Sequence, residues 1–392
     1  MEKVAFVIHR YGKEIAGGSE SLCRQLATRL KNKFQIEIIT TCAKDYVTWE
    51  NHYPEGSKLK DGILIHRFKV DYPRGKKFHQ LHHLLLKNQL HSKEEELEWL
   101  KAQGPYSSGL FDFLQSNNTR YDLHVFFTYL YCTTYFGLQL INGKSILIPT
   151  AHDERPIYMS IFDEEFQRPD AIIFLSPEEK DFALKRFGVI KPWHHVVGVG
   201  LEPSISHLEF PQFSTLKPYI VHMGRISRGK NCHELIDFFI KYKKEKPEIN
   251  LKFVIIGDKQ MELPQREDIV FLGYVDEPKK QHLLQNAVTY IQPSLLESFS
   301  LAIFEAWQSK TPVIVNGKNK VTAGHCQRSQ GGFCYHNYQE FAKALTSLLT
   351  SQSLNRNLAL NGFNYVTNNY HWPVIEKKYY DIFTQVCKDS EG

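Results

Sequence analysis

The chain has 392 residues, 42% of them hydrophobic and 23% charged, with a formal net charge of +5 at pH 7. That length exceeds one ordinary core and predicts two domains. No apolar run approaches the ~18 residues of a membrane-spanning helix, and the mild basic excess is too weak and too dispersed for a nucleic-acid binder. The opening apolar run at 4–8 is too short for a signal peptide. The seven cysteines are scattered, with no Cys-x-x-Cys. The expectation is reduced thiols in a cytoplasmic protein, and no spacing supports a metal site.

Taken in chain order, short apolar runs alternate with amphipathic stretches. Strands are predicted at 4–8, 36–40, 123–127, 145–148, 171–175 and 196–199, with helices at 20–30 and 177–187, the latter opening on Pro177. Residues 201–217 lack periodicity and hold Pro203 and Pro211, the signature of a linker. The pattern restarts with strands at 219–223, 252–256, 269–272, 288–291 and 312–315 and a helix from Cys232. A last helix is expected at about 374–386. The predicted division is therefore 1–200, a linker at 201–217, 218–370, and a terminal helix within 371–392. Alternation of this kind predicts an α/β fold of two doubly wound parallel sheets. Ligands bind such sheets at the carboxyl ends of the strands.

One segment breaks the pattern. Residues 73–93 place Arg74, Lys76, Lys77, His79, His82, His83, Lys87, His91 and Lys93 around Leu81, Leu84, Leu85 and Leu86. Two readings stay open: a solvated helix packed on its domain, or a basic surface touching an anionic membrane at its cytoplasmic face.

Three loops after strands carry chemistry. The first, 12–19, brings Gly17 and Gly18 before a helix, where bare backbone admits a ligand closely and a helix start offers N–H donors. The second, Gly224 to Asn231, holds Arg225 and Lys230 before a helix, a pair matched to a diphosphate. It nearly spells a P-loop, which makes a nucleoside triphosphatase one alternative. Asn231, however, stands where a P-loop needs a hydroxyl for Mg²⁺. The third runs from Pro293 to Ala306. It holds Glu297 and Glu305 eight residues apart, with the N–H groups of Phe299, Ser300 and Leu301 at a helix start near Ser300. Glu305 is placed to accept hydrogen bonds from a vicinal diol. Residues 321–333, with Gly324, His325 and Cys326, read either as a border to the ligand or as a surface loop.

A Gly-Gly loop after the first strand, Arg-x4-Lys after the first strand of the second half, and Glu-x7-Glu near the last strands together resemble glycosyltransferase family 4, in the right order over nearly the whole chain. The resemblance implies a GT-B fold, two Rossmann-like domains facing a central cleft, and sugar transfer with retention of anomeric configuration. It implies a UDP- or GDP-sugar donor, a glycan or lipid-linked acceptor and a role in polysaccharide biosynthesis. It matches Arg225 and Lys230 to the diphosphate-binding pair, Glu305 to the ribose-binding Glu, Glu297 to the Glu beside the donor sugar, and Gly17 and Gly18 to the loop over the donor. His152, in the segment after strand 145–148, matches a His near the reacting sugar. This chain has Ser298-Phe299-Ser300 where many members have Gly-Phe-Gly, which narrows the loop's backbone choices. No Asp-x-Asp triplet occurs, so no cofactor or metal is expected. A GT-B protein without catalysis, serving as a binding scaffold, is the other alternative.

Overall fold

The computed structural model describes residues 1–15, 17–87, 91–188, 190, 192–202 and 208–388. Ala16 of the first glycine loop, Pro203 of the expected linker and the side chain of Leu86 lie outside the described part. The chain divides into two compact units, residues 1–198 with 375–392, and residues 199–374.

The first unit is built from β1 (Lys3–Ile8), α1 (Gly18–Leu30), β2 (Gln35–Thr41), β3 (Gly56–Lys60), β4 (Ile63–Phe68), α2 (Lys76–Lys87), α3 (Lys93–Gln103), α4 (Ser108–Ser116), β5 (Leu123–Phe127), α5 (Cys132–Leu140), β6 (Ser145–Ile148), α6 (Ile161–Glu165), β7 (Ala171–Phe174), α7 (Pro177–Phe187) and β8 (Trp193–Val196). Its strands run in the order β3-β4-β2-β1-β5-β6-β7-β8. All neighbours pair in parallel except the β3–β4 hairpin. Val4 to Ile8 of β1 are fully buried, because a parallel strand is covered on both faces and needs apolar side chains on both.

The second unit contains β9 (Tyr219–Met223), α8 (Cys232–Glu245), β10 (Lys252–Ile256), β11 (Ile269–Gly273), α9 (Glu277–Gln285), β12 (Thr289–Gln292), α10 (Leu301–Gln308), β13 (Val313–Asn316), α11 (Lys320–Ser329), β14 (Gly332–Tyr335), α12 (Tyr338–Thr350) and α13 (Gln352–Asn369). Its sheet is wholly parallel, in the order β11-β10-β9-β12-β13-β14. Leaving aside the β3–β4 hairpin, the strand order in each unit reverses once, between β1 and β5 in the first and between β9 and β12 in the second. These are the switch points where loops diverge and leave room for a ligand.

The last helix, α14 (Trp372–Lys388), begins before the expected 374, since Pro373 sits where a helix tolerates proline. From residue 375 it belongs to the first unit. Phe383 packs on Phe34 and Phe6, and Glu376 pairs with Lys33 at 3.1 Å.

Several expectations shift. The strand expected at 196–199 ends at Val196, and Pro211–Leu216 within the expected linker forms a 3₁₀ turn. Residues 321–333 form no surface loop. They are α11 and the start of β14, with His325 fully buried.

The basic segment is in good part a packed element. Arg74 lies over Trp49 and Phe78 and donates to the carbonyls of Gln103 and Tyr46. His82 accepts from the Trp99 indole at 3.2 Å, and Phe78 and Leu85 are buried. Lys77, His91 and Lys93 pair with Glu98, Glu96 and Glu164. The exposed remainder is Lys76, His79, His83, Leu84 and Lys87.

The packing of α13 on α10 depends on a glycine. A Cβ on Gly362 would fall 2.0 Å from Cδ1 of Trp307, which is fully buried and donates to the Gly331 carbonyl at 2.9 Å. Gly362→Ala is therefore expected to destabilise the protein by about 1–3 kcal/mol, the usual range for overpacking a filled core. Urea denaturation checks this; an unchanged midpoint would show that the two helices part without cost.

Candidate functional site

The switch point of the second unit gathers the sequence-predicted cations and carboxylates. After β9 the chain turns at Gly224, whose φ of 141° suits glycine alone. Gly257, after β10, lies against it so closely that a Cβ there would meet the Gly224 carbonyl oxygen at 2.0 Å. Two glycines thus let neighbouring loops pass in backbone contact. The loop then presents Arg225 exposed to solvent and Lys230 half-buried. Lys230 Nζ donates to Glu297 Oε1 at 2.7 Å, across from the loop after β12.

Asn231 closes the loop with φ 58° and ψ 24°, a left-handed conformation Asn tolerates better than most residues. Its amide donates to Glu234 Oε2 at 2.6 Å and to the Pro293 carbonyl at 3.3 Å. Asn316, ending β13, reaches the same two acceptors, each at 3.3 Å. Three strand-end loops are thereby knotted together. The side chain that in a P-loop would hold Mg²⁺ is here occupied in structural hydrogen bonds.

The second carboxylate, Glu305, lies in α10 and pairs with Lys280 of α9 at 3.1 Å. Burial raises the Glu305 carboxyl above its ordinary range and Lys280 opposes that shift. Lys280 also holds Glu277 at 2.8 Å. Both Glu297 and Glu305 act on the hydroxyl of Tyr290, whose pKa is raised first by burial and then by these two charges. The Tyr290 hydroxyl donates to the Met223 carbonyl at 3.3 Å.

Phe299, Ser300 and Leu301 form the entry to α10. Ser300 precedes the helix at φ 72° and ψ 67°. It occupies the left-handed region that the resembled Gly-Phe-Gly sequence would reach freely. Two contacts hold it there. Gln292, at the end of β12, donates to Ser300 Oγ at 2.8 Å. Phe299 stacks on Phe304 with centroids 4.3 Å apart and meets His325 and Tyr370 edge-on. The first N–H groups of α10, which lack intrahelical partners, are thus fixed in direction. Lys280, Tyr370 and the Asn231–Asn316 knot were not assigned from sequence. Their signal is tertiary, apart from the cation that a half-buried Glu305 requires.

In the first unit the loops after β1, β5 and β6 meet similarly. Gly17 caps α1 with extended backbone. A Cβ there would strike the Glu20 carboxylate at 2.0 Å, whereas one on exposed Gly18 would meet nothing within 4 Å. A side chain at Gly17 would therefore displace the end of the Glu20 side chain, whereas one at Gly18 has open space. Glu20 is buried and accepts from Arg10 Nε at 2.5 Å, with His9 Nε2 at 3.1 Å. Burial works to raise the Glu20 carboxyl, but His9 and Arg10 outweigh it and hold it far below the ordinary range.

His152 follows β6 and lies 3.5 Å from Glu154 Oε2, while Glu154 Oε1 accepts from Tyr129 at 2.7 Å. The loop carrying His152 is anchored by fully buried Glu179 of α7. That carboxyl accepts from the Ala151 N–H at 2.5 Å and the Leu175 N–H at 2.6 Å. Tyr131, after β5, feels both Glu20 and Glu154, and its ring lies 4.1 Å from that of His9. The first unit's predicted residues thus border one aromatic and charged cluster.

Comparison with known proteins agrees with this architecture. Residues 207–365 match the family described as Glycosyl transferases group 1. An uncharacterized glycosyltransferase, MJ1607, of Methanocaldococcus jannaschii is 24% identical over 54% of this chain and 55% of its own length. The O-antigen chain mannosyltransferase RfbU of Salmonella typhimurium is 26% identical over 48% of this chain and 56% of its own. The chain thus spans about half the length of the curated relatives it matches. The crystal structure of Anabaena Alr3699/HepE in complex with UDP and glucose is similar over 98% of this chain and all of that one, at 15% identity and a TM-score of 0.68. The fold is GT-B.

Two predictions follow from the geometry. Ser300→Ala removes a buried partner of Gln292 and keeps the left-handed strain, and is expected to cost about 1–3 kcal/mol. Ser300→Gly loses the same hydrogen bond but relieves roughly 1 kcal/mol of strain. It should be the more stable of the two in chemical denaturation, and the reverse order would refute the strain.

His222, buried in β9, shares a hydrogen bond with the Ile291 carbonyl at 2.9 Å. Burial pushes its pKa down to about 4. A histidine depressed below its unfolded value lends stability above about pH 6.5, and that stability is lost as pH falls toward 4. Between pH 7 and 5 this group should account for about 2 kcal/mol. His222→Gln should flatten the dependence of Tm on pH across that interval; identical slopes would clear His222 of the effect.

Proposed function

We propose that this chain is a retaining hexosyltransferase that moves a sugar from a nucleoside-diphosphate sugar to a glycan or glycolipid acceptor without a metal ion. The observation that carries the reading is the Lys230–Glu297 pair beside exposed Arg225, at the switch point of the second unit and next to the first turn of α10. The matched family, a mannosyltransferase relative and a similar structure holding UDP and glucose support it.

In this reading the donor diphosphate takes Lys230 from Glu297 and lies between Lys230, Arg225 and the N–H groups at Phe299, Ser300 and Leu301. The N–H groups at the entry to α10 are fixed before the reaction, so they stabilise the charge of the departing diphosphate at no reorganisation cost. Glu305 accepts hydrogen bonds from the ribose diol. Glu297, released from Lys230, orients the donor sugar. The transfer is then a front-face attack, with the leaving phosphate taking the acceptor's proton. In the first unit the proposal gives Gly17, Gly18 and His152 contact with substrate. There the open space around Gly18 permits close backbone approach.

A thermal-shift screen with UDP, GDP, ADP and ATP, with and without Mg²⁺, tests the reading on wild type and Arg225→Ala. At a hundredfold excess over Kd, a nucleotide should add about 2.7 kcal/mol of apparent stability. The expected result is metal-independent stabilisation by UDP or GDP that Arg225→Ala loses. Stabilisation by ATP alone, dependent on Mg²⁺, would overturn it. Proton NMR of the first product formed then reports the anomeric configuration, and inversion would remove the retaining assignment.

A further inference from the structure

Eight described residues other than glycine carry a positive φ. Three of them end or turn an element in an ordinary way: Asp61 turns the β3–β4 hairpin, Lys310 follows α10, and Gln330 caps α11. Asn231 and Ser300 stand in the second unit's candidate site. Of the remaining three, Trp49, Thr128 and Thr150, the two threonines are the only β-branched residues of the eight. A branched Cβ fits the left-handed region poorly, so each is a true outlier. Residues held in such conformations persist only where their surroundings over-determine them, and they cluster at functional sites.

The two threonines lie side by side at the carboxyl ends of neighbouring strands. Thr128 follows β5 at φ 70°, and Thr150 follows β6 at φ 50°. The ladder between these strands continues past their ends. The Thr128 N–H donates to the Ile148 carbonyl at 2.9 Å, and the Tyr129 N–H to the Pro149 carbonyl at 3.1 Å. The Thr150 hydroxyl then donates to Thr128 Oγ1 at 3.2 Å. Glycine would make either turn without strain, but it has no hydroxyl with which to join the loops.

Thr150 stands two residues before His152. Between them the Ala151 N–H is fixed by the Glu179 carboxyl. Beyond them the His152 ring lies 3.5 Å from Glu154, whose other oxygen accepts from the Tyr129 hydroxyl. The imidazole is thus placed by the turn at Thr150 on one side and by Tyr129, acting through Glu154, on the other. Both supports lead back to the loop that begins at Thr128. A turn needed only to leave the sheet would be made with less strain by glycine or asparagine. What the threonines add is a fixed direction for the residues that follow.

We propose that Thr128 and Thr150 are positioning residues for His152, their hydroxyl contact holding the loop after β6 in a strained turn that aims the imidazole at the reacting sugar. What the imidazole meets rests on the transferase reading, whereas the aiming is a property of the first unit alone.

The test compares wild type with Thr150→Gly, Thr150→Ser, Thr128→Val and His152→Ala. Histidine ring signals are recorded by NMR, and that of His152 is assigned by its loss in His152→Ala. It should move in Thr150→Gly and Thr128→Val and stay in place in Thr150→Ser, which keeps the hydroxyl. Hydrolysis of UDP-glucose, UDP-galactose, UDP-N-acetylglucosamine and GDP-mannose is then followed. For a donor that wild type cleaves, Thr150→Gly should lower kcat about tenfold or more, the scale of a small misplacement, while KM stays within about twofold and the nucleotide-induced thermal shift is unchanged. Its Tm should stay within about 4 °C of wild type, since relieved strain offsets the lost hydrogen bond. In a His152→Ala background the same substitution should change kcat by less than about twofold, because residues that act through one group are not additive. An unmoved His152 signal in Thr150→Gly would overturn the assignment, as would an unchanged kcat or an equal loss in the His152→Ala background. Wild type that cleaves none of these donors and gains no stability from UDP or GDP would instead remove the transferase reading, a result distinct from an unmoved signal.

Discussion

The second unit's candidate site depends on one ion pair, the 2.7 Å contact between Lys230 and Glu297. A parallel sheet buried on both faces can offer a ligand only its strand ends, and at a switch point the loops from adjacent strands run apart. Something must hold those loops at a fixed spacing when no ligand is present. Here a cation from the loop after β9 meets a carboxylate from the loop after β12. The Asn231 and Asn316 amides tie the same loops through Glu234 and the Pro293 carbonyl. The two charges are only 27% and 14% exposed. Removing either partner would therefore strand the other in poor solvent, a larger penalty than the pair itself is worth. In the proposed reading the carboxylate serves as an internal counterion that the donor diphosphate would replace.

The sequence revealed the parts of this arrangement that depend on local chemistry. Fully buried parallel strands favour apolar side chains, so β1 and β10 stand out as runs of Val, Ile and Phe. Loops that turn before helices need glycine and attract cations, so Gly224, Arg225 and Lys230 could be found from spacing. What stayed hidden depends on distance along the chain. Lys280 is 25 residues from Glu305 and lies on another helix, where nothing local distinguishes it from the neighbouring lysine. The stretch around Gly324 and His325 has weak helix formers and reads as a loop. Its buried helical state comes from packing beneath Phe299 and Phe304. The edge strand β3 is exposed along its whole length and so lacks the apolar alternation that marks a strand. The helix in the 73–93 segment packs on its domain, one of the two readings its charge pattern left open; what the pattern did not show is that Arg74 serves as an interior clamp on backbone carbonyls.

That use of arginine recurs in the first unit. Arg24 donates to the carbonyls of Gly12 and Ile15, Arg67 to those of Thr41 and Tyr11, and Arg10 to that of Lys44. A fork of five donors can satisfy several loop carbonyls at once, which suits long connections that lack secondary structure of their own. Glu179 performs the converse task, accepting two backbone N–H groups from the loops after β6 and β7. The loops of this unit are therefore positioned by charged side chains bonded to backbone.

The departure at Ser298-Phe299-Ser300 shows how packing can replace conformational freedom. Glycine would let the chain enter the left-handed region without strain, but it would also let the loop leave. Ser300 enters at a cost of roughly 1–2 kcal/mol, and the compensation lies beside it. Its hydroxyl is held by Gln292, and Phe299 is seated among Phe304, His325 and Tyr370. Those contacts leave the entry to α10 with one arrangement. A loop that is already ordered loses less entropy when a ligand arrives, and donors that need not turn are more effective against developing charge. The serine's strain and the aromatic anchor therefore belong to one device. The anchor supplies the energy that keeps a disfavoured residue in place, and the result is a rigid set of N–H donors at the position where this fold gathers its cations.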